Sequence, residues 1–375
     1  RQTVETALCK HQADRRVKKD RERFNAVMEA ARLGWWDCDV TSGRAYYSPV
    51  FCSMLGYEPD TMPAGESVWL DLVHHEDRER VKRQYMDCVD NCYDAFEAEY
   101  RMLTQSDQWK WILGRFKVVE RGGSGQAVKI IGTHTDINDR KQIDQTLLFL
   151  LECGSHSSGE DFFQSLARFL AGMFNAHFVC IDRLDGDCLS ARSLAVFCNG
   201  RFEDNIAYAL KDTPCAEAVG KTICVFPRDV RRLFPRDEVL RELAAESYIG
   251  TALWSSAGLP IGLIAVVDRV PLENNKQAEA ILKLVAVRAA DELERRLAGE
   301  ALRFSEERFH QLAENIGEVF WLTYPGRPRK VAYLSSGHDG VWGVGRDEVY
   351  GNPGAWLNAV HPEDREAVLA AHAYL

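Results

Sequence analysis

The sequence predicts an α+β protein of tandem antiparallel-sheet domains joined by long helices. Three observations support this class: one stretch of the chain occurs twice, strand-like alternation falls between clusters of turn residues, and long charge-rich helical segments separate the sheets. Repeats take precedence because they fix the domain count before any propensity argument.

The first copy reads Glu22-Arg23-Phe24, Trp36, Tyr46, Ser48, Gly56, Trp69-Leu70 and His74-His75-Glu76-Asp77-Arg78-Glu79. The second reads Glu307-Arg308-Phe309, Trp321, Tyr333, Ser335, Gly343, Trp356-Leu357 and His361-Pro362-Glu363-Asp364-Arg365-Glu366. A two-residue insertion in one hairpin brings them into register. Leu375 falls opposite Cys88, so the second copy is expected to lack its closing strands.

A length of 375 residues suits two or three domains, and 46% hydrophobic with 27% charged residues is ordinary globular composition. No apolar run approaches the ~18 residues of a membrane span, so no membrane segment is expected in this chain. No signal peptide is read at the start, and a chain opening on Arg1 leaves an upstream anchor open. The net charge of −10 argues against nucleic acid as a partner. Eleven cysteines without CxxC pairs suggest reduced thiols and a cytoplasmic setting.

Residues 3–33 read as a helix, with Val4, Leu8, Val17, Phe24, Val27, Met28 and Ala31 near heptad spacing and Gly34 as its stop. Alternation then predicts strands at Trp36–Val40 and Arg44–Ser48 around Thr41-Ser42-Gly43. Short helices follow, the last from near His75 to Asn91. Strands at Phe96–Leu103, Trp109–Val119 and Ala127–Thr135 close a five-stranded sheet covered by helices on one face.

A different domain occupies about 145–297. Its expected helices are Leu147–Leu151 and Phe162–Phe174, and its strands Phe178–Leu184, Ser190–Phe197, Ile249–Trp254 and Ile261–Val267. A last helix runs from about Asn275 to Asn315, roughly 60 Å at ~1.5 Å per residue. Ala286, Ala290, Leu293, Leu297, Ala301 and Phe304 step by four and three, a seam suited to a parallel partner helix in a homodimer. A terminal helix abutting the next domain's first helix is the plainer alternative. The resulting division is 1–21 linker helix, 22–141 first domain, 142–297 second domain and 298–375 partial third domain.

Both copies of the repeat resemble PAS sensory domains. The likeness rests on Ala30-Ala31-Arg32-Leu33-Gly34 before Trp36-Asp37, Leu55-Gly56-Tyr57, Trp69-Leu70, the His-x-Glu-Asp-Arg block and Thr135-Asp136-Ile137-Asn138-Asp139-Arg140-Lys141. Glu314-Asn315-Ile316 and Val319-Phe320-Trp321 extend it in the second copy. The middle domain is similar to GAF domains through Thr213-Pro214-Cys215, Phe226-Pro227, Phe234-Pro235-Arg236-Asp237, Glu246-Ser247-Tyr248-Ile249-Gly250 and the strand pair around Gly258 and Gly262. Together these likenesses cover nearly the whole chain. They imply fold more strongly than ligand, since both families bind many things or nothing.

A PAS core holds a small ligand in some members, and Trp36, Tyr47, Phe51, Trp69, Tyr100 and Trp111 are the candidate pocket residues; hydrophobic core is the default reading for all six. Asp136, Ile137 and Asn138 stand where the resemblance places a coupling junction between the last strand and the outgoing helix. Asn138 departs from the family's Thr, and its side chain could serve as a plain N-cap. Cys215, just after Pro214, is the candidate reactive thiol, because a helix N-terminus lowers a cysteine pKa; Cys180, Cys188 and Cys198 are weaker candidates, and small buried residues are the default for all of them.

Other motifs read blandly. His74-His75-Glu76-Asp77 tempts a metal reading, but Pro362 in its counterpart and the acids of the first turn belong to a helix start, with His74 and His361 fastening the turn to the sheet. Cys88 and Cys92 share a helix face, yet two ligands do not make a zinc site, so no metal site is expected. Gly122-Gly123-Ser124-Gly125 lacks the Lys and helix of a phosphate loop. Gly159-Glu160-Asp161-Phe162 opens an amphipathic helix and is no cyclase signature. Asn275-Lys276 with Asp291-Glu292 mimics a cyclic-nucleotide signature away from its proper strand. The flavin-binding Asn-Cys-Arg-Phe-Leu-Gln and the bilin-associated Asp-Ile-Pro are absent, no histidine stands out as a haem ligand, and no cofactor is implied.

The resemblance implies a sensory input region, most readily of a bacterial sensor histidine kinase, with a diguanylate cyclase or phosphodiesterase as runner-up. A GAF-based thiol redox enzyme and a purely structural dimerisation module are alternatives from other classes. No catalytic residues are assigned, and a small-molecule ligand is the expected partner besides a second copy.

Overall fold

Alternation of buried and solvent-facing side chains builds the first sheet. The computed structural model describes residues 2–373 apart from 60, 63–64, 66–67, 91–92, 153–160, 316–317, 325–329, 344 and 353, with side chains undescribed at 2–14, 17, 372 and 373. Cys92, Gly159, Glu160 and Ile316, and the side chains of Val4, Leu8 and Val17, lie outside the described residues. Helix α1 (Gln2–Ala30) ends before β1 (Gly34–Asp39) and β2 (Arg44–Tyr47). Gly34 is not the helix stop that the sequence suggests; Arg32 takes the left-handed turn at φ 52° and Gly34 opens the strand. A Cβ at Gly34 would come within 2.8 Å of the Phe51 backbone, so this position needs glycine for close approach.

Three helices follow, α2 (Pro49–Met54), α3 (Val68–Asp71) and α4 (His75–Val89), then β3 (Ala95–Leu103), β4 (Trp109–Arg121) and β5 (Ala127–Asp136). The five strands order β2-β1-β5-β4-β3, antiparallel throughout. One face packs on α2, α3 and α4 around Trp36, Phe51, Trp69, Tyr85, Tyr100 and Phe116. His74 starts α4 as the sequence suggests: its Nδ1 accepts the Glu76 amide at 3.3 Å, and its own amide donates to the Arg101 carbonyl on β3.

Helix α5 (Asn138–Glu152) leads to α6 (Phe162–Phe174) and a second sheet. In chain order come β6 (Phe178–Leu184), β7 (Ser190–Cys198), β8 (Arg201–Glu203), β9 (Ala207–Ala209), α7 (Pro214–Val219), β10 (Ile223–Phe226), α8 (Val230–Leu233), α9 (Glu238–Glu242), β11 (Ser247–Trp254) and β12 (Pro260–Asp268). The order is β10-β11-β12-β6-β7-β8, with β9 also on β7. This sheet is covered on both sides, by α6 and the long helix on one face and by α7 to α9 on the other. That double covering explains why its strands read as nearly continuous apolar runs.

Helix α10 (Asn275–Asn315) is unbroken over 41 residues. Four of the six residues of its expected partner seam are used at home: Ala290 and Leu293 are buried in the second unit's own core, with Ala286 and Leu297 packed beside them. Only Ala301 and Phe304 of the six remain exposed. Beyond it, β13 (Trp321–Thr323) and β14 (Val331–Leu334) pair, followed by α11 (Gly337–Trp342), α12 (Arg346–Gly351), a 3-10 turn at Ala355–Ala359 and α13 (Arg365–Ala373).

The repeat recurs in three dimensions. Ser48 Oγ accepts the Trp35 amide at 2.9 Å, and Ser335 Oγ accepts the Phe320 amide at 2.9 Å. Arg78 Nε donates to the Val73 carbonyl at 3.2 Å, and Arg365 Nε to the Val360 carbonyl at 3.1 Å.

Candidate functional site

The core between the first sheet and its helices collects five of the six aromatic candidates. Trp36, Tyr47, Phe51, Trp69 and Tyr100 share one buried core. Trp36 stacks on Trp69 with centroids 6.4 Å apart, and Tyr47 on Phe51 at 4.8 Å. Trp111 is not among them. It precedes the inward Ile112 on β4, so strand alternation sends it to the opposite face. There the Arg101 guanidinium lies 5.3 Å and the Lys141 ammonium 4.8 Å from its ring.

The same core contains a residue that the sequence reading missed. His134 on β5 is fully buried, and the Tyr100 hydroxyl is 2.5 Å from its Nε2. Burial pushes the imidazole pKa down to about 3 and the Tyr100 phenol well up, so both are neutral and share one hydrogen bond. The signal was present in the alternation Ile130, Gly132, His134, which points all three inward.

The junction between β5 and α5 is built by three residues with separate jobs. The Ile137 side chain is buried, and its amide donates to the Trp111 carbonyl at 3.0 Å. Asp136 accepts the Asn138 amide at 2.9 Å and pairs with Lys110 at 3.1 Å. Capping therefore belongs to Asp136, and Asn138 is the first helical residue instead of the cap. One turn on, Arg140 and Lys141 both pair with Glu99 on β3, whose carboxyl they hold below its ordinary pKa, Lys141 most strongly. Charge thus fastens the first turn of α5 to the outer face of the sheet.

Helix α5 continues to α10. Asn274, just before α10, donates to Asp139 at 3.3 Å, and Gln277 on α10 donates to Gln142. Phe149 of α5 stacks on Phe169 of α6 at 4.1 Å, which joins the outgoing helix to the second unit's core.

The second unit holds a buried polar chain beside a small cavity. Cys180 Sγ donates to Asp182 Oδ1 at 3.0 Å, and the Tyr208 hydroxyl donates to Oδ2 at 3.0 Å. The Tyr208 and Tyr248 hydroxyls lie 3.7 and 3.4 Å from Cys215 Sγ. A cavity of about 60 Å³ is lined by Cys180, Tyr208, Cys215, Asp237 and Tyr248 among apolar side chains. Asp182 has no exposed surface, and burial pushes its pKa up to about 6.

Cys215 does begin a helix, yet the expected lowering of its pKa does not occur. Burial, followed by the nearby Asp182 charge, pushes the thiol up to about 12. Helix α7 has only six residues, too few for its dipole to offset desolvation. The thiol is therefore protonated and shielded, the opposite of a reactive nucleophile. Among the described residues, no group of three or more His, Cys, Asp or Glu side chains is placed to hold a metal ion. Also among the described residues, no helix is long and apolar enough to cross a membrane.

A family model described as the PAS fold matches residues 44–134, from the first residue of β2 to His134. The chain is 22% identical over 289 residues to the methyl sulfide methyltransferase-associated sensor of Methanosarcina acetivorans, covering 73% of this chain and 28% of that protein. It is 25% identical over 126 residues to the blue-light-activated histidine kinase of Brucella ovis, covering 34% of this chain and 24% of that protein. The chain thus spans about a quarter of the length of these relatives. Among solved structures, a sensory box histidine kinase/response regulator from Burkholderia thailandensis is 28% identical with a TM-score of 0.31, covering 35% of this chain and 95% of that one. The GAF domain of an Acinetobacter phosphoenolpyruvate-protein phosphotransferase is 14% identical with a TM-score of 0.36, covering 43% and 98%.

Proposed function

We propose that the chain is the sensory input region of a bacterial signal-transduction protein, arranged PAS–GAF–PAS over 22–141, 142–297 and 298–375, and that the parent protein is a cytoplasmic sensor histidine kinase. The observation that carries this reading is the continuity of helix from sheet to sheet. The last strand of the first unit passes through the buried Ile137 into α5, and α5 meets α10. The first half of α10 is itself a wall of the second unit's core. A small molecule favouring one packing of either sheet would shift the population of α10 positions by its differential affinity. The names of the curated relatives, a sensor and a histidine kinase, support the assignment.

The working unit in this reading is a homodimer through the exposed half of α10. Leu302, Phe309 and Leu312 are apolar and exposed there at spacings of seven and three. The decisive experiment uses the full-length parent protein. Acid-labile phosphate transferred from ATP to a histidine supports the kinase reading, whereas a cyclic dinucleotide formed from GTP, or hydrolysed, replaces it with a cyclase or phosphodiesterase.

A further inference from the structure

Strand β6 carries one carboxyl group into the second unit's interior. Asp182 has no exposed surface, and each of its oxygens meets a neutral donor, Cys180 Sγ at 3.0 Å and the Tyr208 hydroxyl at 3.0 Å. The neighbouring strands set Ser193 and Leu263 opposite it. The other titratable groups of this cluster are Cys215 on α7, Tyr248 on β11 and Asp237 at the start of α9. Among the described residues no cation pairs with Asp182; Arg183 and Arg192, at flanking positions of β6 and β7, pair with Glu300 and Asp185. The ionised carboxylate is therefore buried with hydrogen bonds but no counter-charge, which is costly, whereas the neutral acid suits the site.

The fold is deformable at this residue. The register of β6 with β7 shifts between Ile181 and Asp182, which leaves Leu194 as an extra residue, and such a bulge weakens the ladder locally. The cover over the cluster is made of short pieces: β9 has three residues, α7 six and α9 five. On the sheet's other face β6 approaches the long helix. A Cβ on Gly262 would stand 2.5 Å from the Asp182 carbonyl oxygen and 2.7 Å from Leu293 Cδ2. Glycine there lets the β6 backbone and a core residue of α10 crowd one point without a β12 side chain between them.

We propose that the second unit is a proton sensor in which Asp182 gains or loses a proton inside the core and passes the change through the β6 backbone to Leu293 on α10. This rests on the sensory reading and supplies a stimulus for it. With the proton bound, the core is closed. With the proton lost, the carboxylate draws water through the cavity of about 60 Å³ lined by its partners Cys180 and Tyr208, and β9 and α7 loosen to admit it. The bulge lets β6 follow, and the point shared at Gly262 carries the shift to α10. Burial pushes the Asp182 pKa up to about 6, so a modest acidification from neutral changes the state. The closed form holds the extra proton, so closure is strongest below about pH 6 and is lost as pH rises through it.

The test follows one carboxyl and one helix in the full chain. The side-chain ¹³C signal of Asp182, identified by its loss in Asp182→Asn, is expected to titrate near pH 6. Hydrogen exchange, corrected for the intrinsic pH dependence of amide chemistry, is expected to slow about tenfold from pH 7.5 to 5 in β9, in α7 and in α10 around Leu293. That ratio belongs to a carboxyl whose pKa falls from about 6 to its ordinary 3.8 on opening. Asp182→Asn should abolish the dependence. Tyr208→Phe, which removes a donor to the charged form, should move its midpoint upward. An Asp182 signal titrating near 4 overturns the proposal, as does titration near 6 with α10 exchange unchanged. A pH dependence in α10 that survives Asp182→Asn belongs to another group and overturns it too. If Asp182→Asn fails to fold, the one aspartate signal moved by Tyr208→Phe provides the assignment, and the first two outcomes decide. Failure here leaves the kinase assignment standing, because phosphate on a histidine is read at one fixed pH.

Discussion

The ammonium of Lys141 lies 4.8 Å from the centre of the Trp111 ring and pairs with Glu99 beyond it, so one side chain of α5 grips two strands at once. Cation–π contacts at part-exposed sites contribute about 0.5–1 kcal/mol, and partial burial raises this. Lys141→Ala is expected to speed hydrogen exchange of the α5 amides by about three- to tenfold. Amides of β11 and β12 should be unaffected. Unchanged exchange in α5 would remove the latch from the coupling argument.

Two buried groups titrate with opposite sign. Folded Asp182 keeps its proton up to about pH 6, against an ordinary value of 3.8, so the folded state binds the extra proton and stability falls as pH rises through that window. Two pKa units correspond to roughly 2–3 kcal/mol. Folded His134 stays neutral down to about 3 against an ordinary 6.5, so its contribution is lost as pH falls through that range. In urea titrations, Asp182→Asn should gain stability over the parent between pH 4 and 7. His134→Gln should lose stability over the same interval.

The arginine of each repeat reaches back under its own helix start. Arg78 donates to the Asp71 and Val73 carbonyls, and Arg365 to those of Asn358 and Val360. A flexible ammonium cannot reproduce the planar fork. Arg78→Lys is expected to cost about 1–2 kcal/mol in the first unit's urea transition. A loss below about 0.3 kcal/mol would make this arginine a surface ornament.

Glycines separate by what surrounds them. A Cβ on Gly132 would stand 2.5 Å from Cε2 of the buried Trp36, so Gly132→Ala should cost about 1–3 kcal/mol by overpacking. A Cβ on Gly299, within α10, meets nothing inside 4 Å, so Gly299→Ala should stabilise by about 1 kcal/mol through helix propensity. Thermal unfolding of the two variants measures both signs.

Self-association depends on the exposed half of α10. Leu302→Glu with Leu312→Glu is expected to convert a dimer to a monomer in sedimentation velocity, with the circular dichroism of the folded chain retained. Persistence of the dimer would move the interface elsewhere, and the groove of about 550 Å³ between Phe24 and Met28 of α1 and the outer sheet face would be the next place to look.

Elements long enough to show a period were legible in advance. Strand β6 matches its expected span of Phe178–Leu184, and α10 its expected Asn275–Asn315, because a short, largely apolar run and some forty helical residues leave little ambiguity. Strands β8 and β9, with three residues each, carry no period and went unread. The coiled-coil seam misled for a related reason: helical spacing tells which residues share a face, and cannot tell a partner chain from the molecule's own sheet. Trp111 misled because its aromatic character outweighed its parity on the strand. His134 and Asp182 are each a polar side chain at a buried strand position, a signal that chemistry-bearing motifs do not capture.

Helix α10 contains no proline and no left-handed residue along its 41 positions. An unbroken α-helix turns about 100° per residue. The number of residues between Leu293, fixed in one core, and Ala313, buried near the next, is therefore an angular setting as much as a length. Adding one residue there would turn the third unit by about 100°, whereas adding seven would return it to nearly the same face. In a protein wired this way, spacing is a dial, and evolution or an engineer can retune output by counting residues without altering any pocket.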